Sequence, residues 1–142
     1  MPAIYVMVKR SISPIVKWMP AVLVAAGIAV LSLWENPRVP SSLSMSDKVL
    51  HGAMYLVLAV AWLVPLGARL RGRVMPYIYV WLGATGYGAL MEVLQRYCTL
   101  SRSGEMADLY ADAVGALVGV AIVVVSVQYL VVRNPKSEFR NQ

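Results

Sequence analysis

Apolar residues fall in four long blocks along this chain, separated by short polar stretches. The blocks cover about residues 15–34, 49–68, 74–98 and 107–132. Each holds about 20 residues or more, enough for a helix to cross a bilayer at ~1.5 Å per residue. The expected architecture is an all-α bundle of four transmembrane helices in one domain, residues 1–142, with its core at about 18–132. The polar stretches are short, so consecutive helices run antiparallel.

The interruptions have their own chemistry. Residues 1–17 are a basic lead-in with Lys9, Arg10 and Lys17, and Pro14 and Pro20 suit the start of a helix better than its middle. Leu31-Ser32-Leu33-Trp34 is not a small-residue cleavage site, so the first block reads as a retained span. Prolines and serines in residues 35–48 mark a non-helical loop. Arg69, Arg71 and Arg73 follow the second block, a short turn with Arg102 follows the third, and a polar tail closes the chain.

Composition fits a membrane protein. Of 142 residues, 59% are hydrophobic and 14% charged, and mean hydropathy is +0.65; a soluble domain needs more polar surface. The formal charge of +6 comes from residues at the ends of apolar blocks, not from a stripe, so nucleic acid is not an expected partner. Cys98 is the single cysteine, which excludes an intramolecular disulfide and a cysteine zinc site and reads as packing.

Basic residues also orient the chain. Lys9, Arg10, Lys17, Arg69, Arg71, Arg73, Arg133, Lys136 and Arg140 fall on one side, and Arg38, Lys48, Arg96 and Arg102 on the other. The positive-inside rule then predicts cytoplasmic N and C termini in the cell (inner) membrane. Glu35, Asp47, Glu105 and Asp108 fall at the outer boundary, with Glu92 and Asp112 about one turn inside it, leaving Glu138 alone in the cytoplasm.

That asymmetry points to candidate chemistry. His51 and Tyr55, Glu92 and Gln95, and Asp108 and Asp112 are pairs spaced to share a helix face. Polar faces in a bundle turn inward, away from lipid. The expected site is a polar pocket at the outer face formed by Asp47, Lys48, His51, Tyr55, Glu92, Gln95, Arg102, Asp108 and Asp112, with Arg102 closing over it and Lys48 at its rim. Gly115 and Gly119 permit close helix contact, and Gly83, Gly86 and Gly88 thin one side of the third span. Trp18, Trp34 and Trp62 read as interface anchors or lipid-facing bulk.

No nucleophile elbow or HExxH motif is present, and no catalytic residue, metal site or cofactor is assigned. Three functions stay open. The pocket binds a lipid-linked or lipophilic ligand at the outer face. Or the chain is an enzyme on such a lipid, with His51 as general acid/base beside Glu92, or with His51, Asp108 and Asp112 around a divalent ion. Or the cluster is a buried staple of a structural subunit. The lipid bilayer is the expected partner, and oligomeric state is not legible.

The residues also resemble the VanZ-like membrane protein family. Asp47-Lys48-Val49-Leu50-His51 with Tyr55 is similar to the family's DKxxH…Y, Glu92-Val93-Leu94-Gln95 to its ExxQ, and Arg102, Asp108, Gly115 and Gly119 to its block entering the last span. Two positions depart: many relatives have Asn at the place of Asp112, and often an aromatic at the place of Gly52, which thins the wall beside His51. The resemblance implies an envelope protein with an extracytoplasmic polar cluster. The family's founding member is associated with reduced susceptibility to teicoplanin, so a link to antibiotic resistance is an implied expectation.

Overall fold

The computed structural model describes residues 14–34, 44–100 and 105–133. Arg102, the lead-in through residue 13, the loop at 35–43 with Glu35 and Arg38, and the tail from residue 134 lie outside the described residues. Four α-helices follow in chain order: α1 (Pro14–Leu33), α2 (Ser44–Leu63), α3 (Met75–Cys98) and α4 (Met106–Arg133), with a 3₁₀ segment at Val64–Leu70. No strand occurs among the described residues.

Local chemistry explains most boundaries. α2 begins at Ser44, earlier than the proline- and serine-rich loop suggests, and Asp47 lies in its first turn. An acidic side chain is favourable there against the helix dipole. α2 ends at Leu63, two residues before Pro65, which cannot donate a backbone hydrogen bond. The chain then tightens into the 3₁₀ segment and breaks at Gly67, whose φ of 47° is a left-handed conformation that suits glycine. α3 starts with Pro76 in its first turn and ends where Thr99 turns extended. Both the backbone N–H and Oγ1 of Thr99 donate to the Gln95 carbonyl, at 3.2 and 2.7 Å. Pro20 lies inside α1, against the expectation that it would mark a start; membrane-type helices tolerate proline where surroundings re-satisfy the freed carbonyl.

Three helical segments are long and apolar enough to cross a membrane: Ile15–Leu33, Asp47–Gly67 and Met106–Arg133, with mean hydropathies of 1.9, 2.0 and 2.4. α3 has 24 residues but is more polar, carrying Glu92, Gln95 and Arg96. The outward faces expose large apolar residues along each helix, such as Leu23, Leu50, Leu82 and Val125. So extensive an apolar surface belongs in hydrocarbon.

α2 and α4 make the most extensive helix pair, α3 packs on α4, and α1 lies against α2 and α3. The α2–α4 seam has almost no side-chain layer. A Cβ on Gly115 would collide with the Gly52 backbone, and one on Gly119 would come within 2.5 Å of the Leu56 carbonyl oxygen. Gly52 thus lends its bare backbone to the Gly115 approach, while a Cβ on Gly52 itself would sit 3.5 Å from the Ala111 carbonyl oxygen. Gly83 and Gly86 are exposed with open space around them, so of the three α3 glycines only Gly88 meets a neighbour. The apolar core, with Leu58, Ala59, Leu63, Ala84, Ala116 and Val120, fills the middle. Trp18 and Trp62 meet edge to face, ring centroids 6.3 Å apart, and both remain substantially exposed.

Candidate functional site

Polar contacts gather at one end of the bundle, where α1 and α3 finish and α2 and α4 begin. Gln95 Nε2 donates to the Ser32 carbonyl at 3.0 Å, joining α3 to α1. Lys48 Nζ reaches Asp108 Oδ1 at 2.9 Å and Glu105 Oε2 at 3.3 Å, joining α2 to α4. The Glu105 backbone N–H donates to Glu92 Oε2 at 2.7 Å, so Glu92 caps the approach to α4 from the end of α3. The Gln95 and Lys48 links join segments about 60 residues apart in sequence, whereas the Glu92 link spans the short α3–α4 connection.

Beneath these links lies a buried layer. His51, Tyr55, Glu92, Gln95, Asp108 and Asp112 are all buried, and Asp112 has no exposed surface. His51 Nδ1 lies 3.0 Å from Asp112 Oδ1. The other Asp112 oxygen sits beside Gly88, where a Cβ would come within 2.7 Å of it. Gly88 and Glu92 are four residues apart in α3, so the glycine makes room for Asp112 one turn from Glu92. The Tyr55 ring packs against that of Tyr87, centroids 6.4 Å apart, and the Tyr87 hydroxyl donates to the Ala25 carbonyl at 2.7 Å.

The protein does not satisfy all these groups itself. Among the described residues, Glu92 Oε1, Asp112 Oδ2 and the Tyr55 hydroxyl are buried with no hydrogen-bond partner. Thr85 Oγ1 is a fourth such atom, further along α3. Burying an unpaired polar oxygen is costly, so two carboxylate oxygens and a phenol hydroxyl left so at one end are a chemical feature. His51, Glu92 and Asp112 bring one ligand-type atom each within 4.8 Å of one another, and so do Asp47, His51 and Asp108. The residues present therefore include donors of the type that hold a divalent ion, although the sequence reading assigned no metal.

The chain belongs to the VanZ/LLP1 family. The family model, described as VanZ/LLP1, matches residues 4–128. No curated protein and no solved structure matches the chain. Membership together with apolar, membrane-crossing helices makes this a VanZ-like membrane protein.

The sequence-predicted residues divide by what they touch. Gln95 faces the Ser32 carbonyl and ties helices together. Lys48 is half-buried and held by two carboxylates, so the described part of the site offers no uncommitted cation at Lys48 for an anionic group. Asp47 is half-buried beside His51 and Asp108. Arg102 lies outside the described residues. Sequence reasoning missed Gly88 as a partner of Asp112, Glu105 as a partner of Lys48, and Trp81, whose indole N–H donates to the Ala113 carbonyl at 3.1 Å. Cys98 is exposed and not packed.

Two apolar hollows lie along the helices, away from the polar end. One of about 290 Å³, between α1 and α2, is lined by Val24, Gly27, Ile28, Leu31, Ala53, Met54 and Val57. The other, of about 190 Å³, is lined by Ala25, Leu58, Trp62, Gly83, Ala84 and Tyr87. Leu31 adjoins Ser32, and Tyr87 adjoins Tyr55, so each approaches the polar layer through one neighbour.

Proposed function

We propose that this VanZ-like protein is a four-span protein of the inner membrane that binds an amphipathic ligand, lipid-linked or lipophilic, at its extracytoplasmic end. The observation that carries this reading is the burial of six polar side chains from α2, α3 and α4 at one end of an otherwise apolar bundle. Polar groups buried at membrane depth cost about 3 kcal/mol for a mid-membrane charge, less near the interface. Lys48, the Ser32 carbonyl and the Glu105 N–H offset part of that cost, and a bound polar head would offset more by engaging the oxygens left unpaired among the described residues. The two apolar hollows along the helices suit hydrocarbon chains, while His51, Glu92, Asp108 and Asp112 suit the hydroxyl and amide groups of a head.

Positive-inside asymmetry supports this orientation. Arg69, Arg71 and Arg73 follow α2 at the end opposite the polar layer, and under the positive-inside rule this favours a cytoplasmic side for that end and an outer side for the polar layer. α3 completes the fourth span: its 24 residues reach about 36 Å, and its polar side is turned into the bundle.

The test is lipid retention. Purified full-length protein is exchanged into detergent, incubated separately with a polyprenyl phosphate, a polyprenyl-linked sugar, a phosphatidylglycerol and teicoplanin, and examined by native mass spectrometry. Retention of one class, lost in Glu92→Gln at an unchanged melting temperature, supports the reading. Retention of teicoplanin above the lipids would extend the resistance role of the family's founding member to this chain. No retention of any probe, or equal retention by Glu92→Gln, contradicts it.

A further inference from the structure

We propose that His51, Glu92 and Asp112 form a binding site for one divalent transition-metal ion, zinc or manganese. This goes beyond the amphipath-binding reading and does not rest on it.

Three observations converge. First, one nitrogen-type and two oxygen-type donor atoms of the trio lie within 4.8 Å of one another, and all three residues are buried. Second, Glu92 Oε1 and Asp112 Oδ2 have no partner among the described residues, and both side chains are more than nine-tenths buried. Third, Gly88 leaves the space that Asp112 Oδ2 occupies, and any larger residue would fill it. The His51–Asp112 and Glu105–Glu92 contacts use one oxygen of each carboxylate and leave the other for a ligand.

Charge and donor type select the ion. Two ionised carboxylates and a neutral imidazole carry a charge of about −2, which a divalent cation balances in a medium that cannot. Calcium and magnesium favour all-oxygen shells and retained water, whereas one imidazole with two carboxylates suits zinc or manganese. Three protein ligands leave a coordination position open. Tyr55 follows His51 by one turn of α2 and brings to the same layer a buried hydroxyl with no partner among the described residues.

The neighbouring trio of Asp47, His51 and Asp108 is the weaker claimant. Lys48 already engages Asp108 Oδ1 at 2.9 Å, and Asp47 is only half-buried. Both trios share His51. Glu92 keeps its second oxygen on the Glu105 N–H, an outer contact that orients a ligating carboxylate.

The experiment counts metal on the full chain in detergent. Protein stripped with a chelator is dialysed against zinc, manganese or magnesium chloride, and bound metal is measured by inductively coupled plasma mass spectrometry, with melting followed in parallel. The expected result is about one zinc or manganese per chain, and a melting temperature that rises on loading and falls on chelation. His51→Ala and Asp112→Asn should each weaken binding by more than the ~10–100-fold typical of losing an outer contact. Asp47→Asn should keep the metal. Should Asp112→Asn fail to fold, Glu92→Gln carries the same expectation. Sub-stoichiometric metal in the wild type overturns the proposal, as does equal loading of His51→Ala. Loss of metal in Asp47→Asn but not Asp112→Asn also overturns it.

Discussion

His51 Nδ1 and Asp112 Oδ1 meet at 3.0 Å across the α2–α4 seam, and neither residue is accessible to solvent beyond a few per cent. The pair sits where the two helices approach most closely, one residue from Gly52 and three from Gly115. Close backbone approach and buried ionisable chemistry thus come from the same short stretch. Asp112→Asn tests what the carboxylate is for. The amide keeps the shape and removes a buried charge, so folded yield and the melting temperature of the metal-stripped protein should be equal or higher, while lipid and metal occupancy fall. A loss of folded yield with unchanged occupancy would assign Asp112 to structure.

The seam gives a second prediction. Gly115→Ala drives a methyl group into the Gly52 backbone and should cost about 1–3 kcal/mol, the range for overpacking. Gly86→Ala, which meets nothing within 4 Å, should be neutral or stabilise by up to about 1 kcal/mol through helix propensity. Denaturation of the two variants in one detergent checks both signs.

Gln95→Leu separates a helix tie from a ligand contact. It removes the bond to the Ser32 carbonyl, worth about 1 kcal/mol, and should lower the melting temperature without changing lipid or metal occupancy. Reduced occupancy at matched stability would move Gln95 into the site.

Orientation rests on Cys98, the single cysteine, exposed at the last residue of α3 beside the polar end. A membrane-impermeant maleimide should label it in intact cells. Labelling only after the membrane is permeabilised would invert the topology.

Much of this arrangement is legible in the chain alone, for definable reasons. Long apolar blocks announce the helices, and acids within them must turn inward because lipid solvates them poorly. Hence His51, Tyr55, Glu92, Gln95, Asp108 and Asp112 are all found buried. What pattern does not carry is the third dimension. Gly88 and Gly86 look alike in sequence, and only the rotation of α3 against α4 decides which one faces Asp112. Lys48 looks like a free rim cation until Glu105 and Asp108 are brought beside it. The early start of α2 escaped because Ser and Asp are as much at home in the first turn of a helix as in a loop.

Glu92 gives the most direct test of the central claim, that the buried polar end holds a ligand. Its Oε2 caps the approach to α4 and its Oε1 has no partner among the described residues, and Glu92→Gln keeps an acceptor for the cap while removing the charge. The deciding measurement is native mass spectrometry of wild type and Glu92→Gln on the lipid and teicoplanin panel, paired with their melting temperatures. Matched melting with ligand retained only by the wild type is the predicted result. A lower melting temperature for Glu92→Gln, with no ligand on either protein, would make the cluster a staple and contradict the account.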